Sequence, residues 1–303
     1  MDNRPLGNLG RPGRGGPVFK PRSEAARGYA LSSPATAYVG FLVAAPLVIL
    51  ITYSFWTQTY VTLDKTPTLG NYRAALSDPL VHHLMLRSIW IAGAVTLATV
   101  VLAYPIAYFI AMKARRKTIW LLLITIPFWS SYLLRVFAWK LILGFNGVMN
   151  SALLGLGLID EPLDFLLYNE FAVVLTLAHA WAPFAILPIY VSLQKIDPSL
   201  LEAATDLGNS PLQRFLRVTL PLTVPGIIAA SLIIFVPTVG DYVTPALVGG
   251  SDGKMIANLI QVQFGAANNW PLGATLSLLA MMSVGFVAIV FVIAGRGLGG
   301  RIR

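Results

Sequence analysis

The sequence predicts an all-α integral membrane protein with six membrane-spanning helices. Of its 303 residues, 56% are apolar and only 12% are charged, whereas a soluble domain usually has about 25% charged residues. The mean hydropathy is +0.71, and six apolar runs are each long enough to cross about 30 Å of hydrocarbon as a helix. These observations place the chain in a lipid bilayer.

The bounds of the predicted spans follow the lengths of the apolar runs. They are residues 34–56, 84–112, 118–140, 171–194, 226–248 and 272–294. Between the third and fourth spans, residues 144–168 are moderately apolar but are interrupted by Gly, Asn and Pro. We interpret this stretch as a structured loop with a short surface helix, and a seventh span is the alternative.

A basic segment precedes the first span. Residues 1–28 are rich in Gly, Pro and Arg and show no apolar period, so we predict a disordered basic tail followed by a membrane domain over residues 29–303. A signal peptide is less consistent with the sequence, because the apolar run that follows is longer than the roughly 7–15 residues of such a peptide.

The distribution of Lys and Arg predicts the orientation in the membrane. Six spans place both termini on one side, and 16 of the 22 Lys and Arg residues fall on that side. The positive-inside rule therefore predicts that both termini, and the loop between spans four and five, are cytoplasmic. Because this distribution explains the net charge of +9, we do not interpret the charge as a nucleic-acid-binding surface.

No catalytic group of residues is evident. The absence of Cys excludes disulfides, thiolate nucleophiles and Cys-based metal sites. Gly249–Met255 superficially resembles a phosphate-binding loop, but its first Gly is one residue too close to Gly253, and Met255 replaces the required Ser or Thr. The pair His82–His83 has no carboxylate at ligand spacing beyond Asp78, so a polar pair at the end of a span is favoured over a metal site.

The loop between spans four and five, residues 196–225, carries signals for a first short helix. Asp197 followed by Pro198 is typical of an N-cap with proline at the first helical position. A one-sided apolar stripe follows, and Gly208 is the residue type that most often ends a helix in the left-handed conformation. We therefore predict a helix that starts at Pro198 and stops at Gly208.

A second short helix is predicted directly after that turn. Ser210 stands three residues before Gln213, which is the spacing of a capping box, and we expect Pro221 and Pro225 to end regular structure. The residues alone leave two alternatives open, an interfacial helix pair without further function and a helix-turn-helix that reads DNA. The second is disfavoured, because the loop is tethered at both ends and presents acids where phosphate contacts need Lys or Arg.

The same loop resembles the E-A-A-x-x-x-G…L-P motif of ABC importer permease subunits. The matching residues are Glu202, Ala203, Ala204, Gly208, Phe215, Leu220, Pro221 and Pro225. Val218 stands where the family commonly has Ile, and apolar character is kept. The resemblance implies that this loop is the coupling helix, which docks on a cytoplasmic ATPase subunit and transmits its closure. The implied ATPase-coupling residues are Glu202, Ala203, Ala204, Asp206, Gly208, Leu220 and Pro221.

Residues 69–76, 127–159 and 235–264 resemble segments of the spermidine/putrescine-type permeases, so the resemblance extends over about residues 34–295. It implies a type I ABC importer transmembrane fold in the bacterial cytoplasmic membrane, and import of a small cationic substrate, first of all a polyamine. An opine, another amine or a ferric complex is an alternative substrate. The implied partners are two cytoplasmic ATPase subunits, a second permease subunit, an extracytoplasmic binding protein and membrane lipid. ATP and Mg²⁺ would be bound by the ATPase, and this chain would bind no cofactor.

One acid lies within a predicted span and is our candidate for substrate contact. Asp241 falls in the outer half of span five between Pro237 and Pro245, which would interrupt the helix and open a polar cavity. Nearby aromatic rings could offer cation–π faces to an ammonium group. The alternative is a structural ion pair between Asp241 and Arg135 or Arg87. The candidate pathway residues are Asp241, Tyr242, Trp129, Tyr132 and Trp181.

Two other classes of protein are less consistent with the sequence. An ion-coupled secondary transporter needs ionisable residues for coupling, yet beyond Asp241 the spans hold almost no acids, and no inverted repeat is evident. A membrane-anchored regulator needs a soluble effector domain, and none of the loops is long enough to form one. The sequence therefore predicts a transport subunit that is not itself an enzyme.

Overall fold

A computed structural model describes the backbone of residues 21–60 and 62–300, and the side chains of residues 28–29, 31–60 and 62–293. Within these residues the chain is helical apart from one short antiparallel hairpin. The hairpin consists of β1 (Thr57–Thr59) and β2 (Thr62–Asp64), and Gln58 pairs with Leu63. Most of the predicted basic tail, residues 1–20, lies outside the described residues.

Thirteen α-helices are described, together with two 3-10 turns and one π-helical turn. The α-helices are α1 (Pro21–Ser54), α2 (Gly70–Ser77), α3 (Pro79–Met112), α4 (Lys117–Thr125), α5 (Tyr132–Leu143), α6 (Val148–Gly155), α7 (Glu170–Gln194), α8 (Pro198–Asp206), α9 (Pro211–Arg214), α10 (Leu220–Val239), α11 (Val243–Val248), α12 (Ile256–Phe264) and α13 (Trp270–Gly300). The 3-10 turns are Ile126–Trp129 and Asp164–Leu166, and the π-helical turn is Phe215–Thr219.

Six helical segments are long and apolar enough to cross a membrane, which confirms the predicted fold class. These spans, numbered one to six in chain order, are Leu31–Ser54, Pro79–Met112, Tyr132–Gly155, Glu170–Gln194, Pro211–Val239 and Trp270–Ile293. Spans one, two, four and six agree with the predicted bounds to within five residues. Spans three and five differ from the prediction, each for a physical reason.

The third predicted span, residues 118–140, has the wrong bounds because the helix is interrupted within the apolar run. After the 3-10 turn, Ser130 is extended (φ −73°, ψ 152°), and α5 begins only at Tyr132. The Ser130 hydroxyl donates a hydrogen bond of 2.6 Å to the Pro127 carbonyl, which uses locally an acceptor that a continuing helix would need. Hydropathy measures apolar character and does not register such a break.

The fifth predicted span, residues 226–248, is also wrong in its bounds. The helix begins at Pro211, runs through the π-helical turn and ends at Val239. Pro221 and Pro225 therefore do not end regular structure. In the widened turn the Leu220 N–H donates to the Phe215 carbonyl, and this extra width accommodates a proline that has no N–H and whose ring would clash in a regular α-helix.

The chain divides into two compact units, residues 1–49 and residues 50–303. The described part of the first unit belongs to α1, which contains Pro34 and Pro46. Because α1 already begins at Pro21, residues 21–28 of the predicted tail are helical; Glu and Ala in this stretch favour a helix, and Gly is absent until residue 28. The second unit contains the end of α1 and all later described helices.

Spans two, four and five form the centre of the second unit. Ile91, Leu177, Ile186 and Ile234 are almost completely buried there. Spans four and five approach closely at Gly226, where an added Cβ would lie 2.7 Å from the Pro188 carbonyl oxygen and nearer still to the Ser192 side chain. Small residues at such contacts let membrane helices pack backbone to backbone.

We predict that Gly226→Ala destabilises the protein, because a buried methyl group without room typically costs about 1–3 kcal/mol. The midpoint of thermal unfolding of the detergent-purified protein should therefore fall. Gly285→Ala is the matched control, since Gly285 also lies in a spanning helix but has no neighbour within 4 Å of an added Cβ. An unchanged midpoint for Gly226→Ala would contradict the close packing of spans four and five.

Candidate functional site

The loop between spans four and five begins with the predicted capped helix. The Asp197 carboxylate accepts a hydrogen bond of 2.9 Å from the Ser199 N–H, and Pro198 occupies the first turn of α8. This hydrogen bond lowers the pKa of Asp197 below its usual value. The carboxylate is therefore charged at neutral pH, and the positive end of the helix dipole of α8 stabilises this charge.

A tight turn joins α8 to the next helix, as the sequence predicts. Gly208 adopts a left-handed φ of +80°, and the Asn209 N–H donates to the Ala204 carbonyl over 3.1 Å. Ser210 and Gln213 form the predicted capping box, with reciprocal hydrogen bonds of 3.3 and 2.9 Å. The backbone groups at both helix ends are thus satisfied within the loop itself.

Two arginines form hydrogen bonds across the turn. Arg214 donates to the Thr205 hydroxyl over 3.0 Å, and Arg217 donates to the Asn209 side-chain carbonyl over 3.2 Å. Since Arg214 and Arg217 lie at the start of the helix that becomes span five, α8 is held against that helix. The second predicted short helix is therefore the first turn of span five, and α8 is hydrogen-bonded to it.

The motif residues of the loop divide between a free face and the packed interior. Glu202, Ala203, Asp206 and Gly208 are exposed, and the apolar Leu207 beside them is 83% exposed. Ala204 is buried against the rest of the loop. Leu220 and Pro221 are partly buried within span five. Only the first group forms a surface that another protein can contact directly.

A second candidate site lies where two helices are interrupted. Span five ends at Val239, and Asp241 then caps α11 by accepting hydrogen bonds from the Val243 and Thr244 N–H groups (2.9 and 3.3 Å). The other carboxylate oxygen accepts a hydrogen bond from the hydroxyl of Tyr132, the first residue of α5 after the break in the third apolar run. The two breaks therefore meet at one hydrogen-bonded point, which we call the break junction.

The predicted alternative of an ion pair at Asp241 is not formed. Among the described residues, no Lys, Arg or His lies within 4.0 Å of the Asp241 carboxylate. Arg87 instead pairs with Glu170 at 3.4 Å. Arg135 stacks on the Phe128 ring at 4.6 Å and donates to the Ala180 carbonyl, while its Nε has no acceptor. The negative charge of Asp241 is thus hydrogen-bonded but not neutralised by a neighbouring cation.

The remaining predicted pathway residues differ in their exposure and in their contacts around the break junction. Tyr242 follows Asp241 directly and is 48% exposed, beside a cavity of about 680 Å³ between span five, α12 and span six. Trp181 is partly buried, with its ring tilted against that of Phe184 at 5.4 Å, and its indole N–H has no acceptor among the described residues. Trp129 lies at the break itself and is 91% exposed, so it makes little contact with the rest of this chain.

Several residues of these sites are missed by reasoning from the sequence. Thr244 shares a hydrogen bond of 2.5 Å with Tyr132, and Phe128 links Arg135 to Phe184 through ring contacts. The sequence Pro-Phe-Trp-Ser-Ser at residues 127–131 carried a signal for the break, because proline followed by serines favours local turns. No local pattern could have revealed which residues meet across the two breaks.

Comparison with known proteins identifies related permeases over nearly the whole chain. Residues 41–299 match the family described as binding-protein-dependent transport system inner membrane component. The spermidine/putrescine transport system permease protein PotB of Escherichia coli is 38% identical over 270 residues, which cover 88% of this chain and 98% of that protein. The inner membrane ABC transporter permease protein YdcU of Escherichia coli is 35% identical over 263 residues, covering 82% of this chain and 83% of that protein.

Solved structures share the fold at low sequence identity. A bacterial ABC transporter involved in the import of the acidic polysaccharide alginate matches with a TM-score of 0.66 and 18% identity, covering 93% of this chain and 98% of that chain. The MetNI methionine ABC transporter matches with a TM-score of 0.52 and 18% identity, covering 73% of this chain and 99% of that chain. These matches confirm the predicted importer fold.

We predict that Gly208→Val impairs uptake whereas Gly208→Asn is tolerated. An added Cβ at Gly208 has no neighbour within 4 Å, so the cost arises from the left-handed backbone, which Asn adopts readily and a β-branched residue does not. Substrate uptake by cells that carry each variant at equal membrane levels measures the difference. Equal loss in both variants would show that the side chain, and not the backbone conformation, matters at this position.

Proposed function

We propose that this chain, which belongs to the family of binding-protein-dependent transport system inner membrane components, is the permease subunit of an ABC importer for polyamines. The observation that carries the substrate class is the similarity to the spermidine/putrescine permeases along almost their whole length. Polyamines are flexible chains with several ammonium groups, so the site that passes them needs negative charge and polarisable apolar surface.

The break junction supplies both properties. Asp241 provides a carboxylate with no cation within 4.0 Å among the described residues, and its two oxygens are fixed in direction by Tyr132 and by the N–H groups of α11. Tyr132 and Tyr242 flank this carboxylate and offer ring faces to an ammonium group. Span five ends at Val239, so Asp241 lies just after it and not, as the sequence predicts, within it. Because a carboxylate with no neighbouring cation at the interruption between two helices can pair with an ammonium group, we assign Asp241 as a counter-ion for the passing substrate.

A second permease subunit is needed to cover the break junction. An interrupted helix exposes backbone N–H and C=O groups that lipid cannot bond, so such a break is tolerated only against protein or a water-filled cavity. Trp129 and Tyr242 are largely exposed in this chain, which leaves one side of the break junction open. We therefore place the pathway between this chain and a second permease, with the binding protein delivering substrate from the outer side.

The loop between spans four and five is assigned as the contact with the energy-supplying subunit. Its exposed face combines the acids Glu202 and Asp206 with the apolar Leu207, and the Lys/Arg distribution favours a cytoplasmic location. Two cytoplasmic ATPase subunits would bind ATP and Mg²⁺, one under each permease. Closure of the ATPases would move the loop together with span five, and the two permeases would expose the pathway alternately to each side of the membrane.

Removal of the charge at the break junction tests the substrate assignment. Asn is as good an N-cap as Asp, so Asp241→Asn should keep the cap of α11 and the fold. A hydrogen bond to a charged group contributes about 1.5–3 kcal/mol, so the efficiency of spermidine or putrescine uptake should fall about 10- to 100-fold. Radiolabelled uptake at matched membrane levels measures this change.

The matched control for this experiment is Asp252→Asn. Asp252 is exposed in the loop that precedes α12, and Ser251 is its hydrogen-bond partner, so its replacement should leave uptake unchanged. Undiminished uptake by Asp241→Asn would exclude the counter-ion role. Disappearance of Asp241→Asn from the membrane would assign Asp241 to the fold and not to transport.

The ATPase contact is tested by Glu202→Ala, with the exposed acid Glu161 of the opposite side replaced by Ala as the control. Glu202 makes no hydrogen bond or ion pair within the described part of the chain, so its loss should not affect folding. We expect the assembled transporter to lose most of its binding-protein-stimulated ATP hydrolysis and uptake. Full activity of the Glu202 variant would remove this residue from the proposed docking face.

A further inference from the structure

An aromatic contact joins span two to the first turns of span five. The Phe215 ring meets the Tyr104 ring at 5.6 Å and the Tyr108 ring at 6.2 Å, both edge to face (84° and 82°). Tyr104 and Tyr108 are four residues apart and therefore lie on the same face of α3. Phe215 is thus held between two rings of a different span, directly after the loop.

A hydrogen bond ties Tyr104 to span five at a second point. The Tyr104 hydroxyl lies 2.9 Å from the Thr223 hydroxyl. Because Thr223 donates its own proton to the Leu220 carbonyl over 2.9 Å, the Tyr104 hydroxyl is the donor in this pair. Thr223 is fully buried, so the bond is protected from water. A single tyrosine therefore contacts span five both before and after the Leu220–Pro221 step.

The backbone hydrogen bonding of span five is least regular between these two contacts. The π-helical turn Phe215–Thr219 lies there, and Pro221 has no N–H to donate to a carbonyl of the preceding turn. Span two contains its own proline, Pro105, next to Tyr104. Kinks in helices concentrate at π-turns and prolines, so both spans are prone to bend at the same level, where Tyr104 connects them.

We propose that Tyr104 and Phe215 form a splint that carries the movement of the loop into spans two and five together. Tyr104 is a positioning residue in this role, because it acts through span five and does not touch the substrate. With the splint intact, a displacement of the loop moves spans two and five together. Without the splint, the π-helical turn bends, and the displacement of the loop does not reach the break junction. This inference rests on the proposed function as an ATP-driven importer.

The splint is tested in the complete transporter, reconstituted in lipid vesicles with its ATPase subunits, second permease and binding protein. Tyr104→Leu and Phe215→Leu each remove the ring contact, and Tyr104→Phe keeps the ring but removes the hydrogen bond to Thr223. Phe109→Leu is the matched control, because it removes another edge-to-face pair of span two, with Trp120 at 5.4 Å, away from the loop. The readout is the number of spermidine molecules imported per ATP hydrolysed.

We expect both leucine variants to keep binding-protein-stimulated ATP hydrolysis while import per ATP falls about three- to tenfold, the range expected for the loss of such ring contacts. Tyr104→Phe should fall less, and Phe109→Leu should match the unmodified chain. The loss in the double variant should be smaller than the two single losses combined, because the Tyr104–Phe215 contact is common to both.

Unchanged import per ATP in both leucine variants would overturn the splint. A parallel loss of hydrolysis and import would also overturn it, since that result assigns the contact to docking or folding. If a leucine variant fails to assemble, Tyr104→Phe decides alone, and an unaltered ratio then counts against the proposal. Failure of the proposed function is distinguishable, because the unmodified transporter itself would then show no ATP-dependent import of spermidine.

Discussion

The structure depends on one constraint, that every backbone N–H and C=O group within the membrane must find its partner inside the protein. Long helices meet this requirement along most of the six spans. Where a helix is interrupted, the freed groups need side chains or a neighbouring chain. The described spans satisfy this at the break junction by placing two interruptions side by side, with the Asp241 carboxylate capping α11 and accepting a hydrogen bond from Tyr132. The same arrangement leaves the Asp241 carboxylate with no cation within 4.0 Å among the described residues.

Proline has opposite consequences before span three and within span five. Just after Pro127 the helix stops, because the Ser130 hydroxyl bonds the Pro127 carbonyl and α5 starts anew at Tyr132. At Pro221 the helix continues, because the preceding turn is widened and Tyr104 supports it from span two. The first outcome brings Tyr132 next to Asp241 at the break junction. The second keeps span five continuous from Pro211 to Val239, so the same residue type ends one helix and is accommodated in another.

The features that the sequence predicts well are those decided by neighbouring residues. Asp197, Gly208 and Ser210 act as the caps and turn that their types favour, and four spans follow their apolar runs closely. The features that it misses depend on distant residues. Hydropathy cannot distinguish Pro127 from Pro221, since the difference lies in Ser130 for one and in Tyr104, more than a hundred positions away, for the other. The predicted alternative for Asp241 is an ion pair with Arg135 or Arg87, whereas its hydrogen-bond partner in the structure is Tyr132 across the bundle.

Similarity in fold does not determine the substrate. A transporter involved in the import of an acidic polysaccharide shares this fold at 18% identity, so the fold alone does not set the charge of the substrate. We propose that the break junction lines a water-filled route for polyamines between two subunits. Because the chain has no cysteine, a single introduced cysteine reports on its surroundings in the assembled transporter.

Trp129→Cys, at the break, and Leu97→Cys, at an exposed position of span two, can be compared by their rates of reaction with a membrane-impermeant cationic thiol reagent. If the break junction lines a water-filled route, the cysteine at position 129 reacts much faster than that at 97. Spermidine delivered by the binding protein then slows the reaction at 129 alone. Equally slow reaction at both positions, or no protection by spermidine, would contradict this proposal.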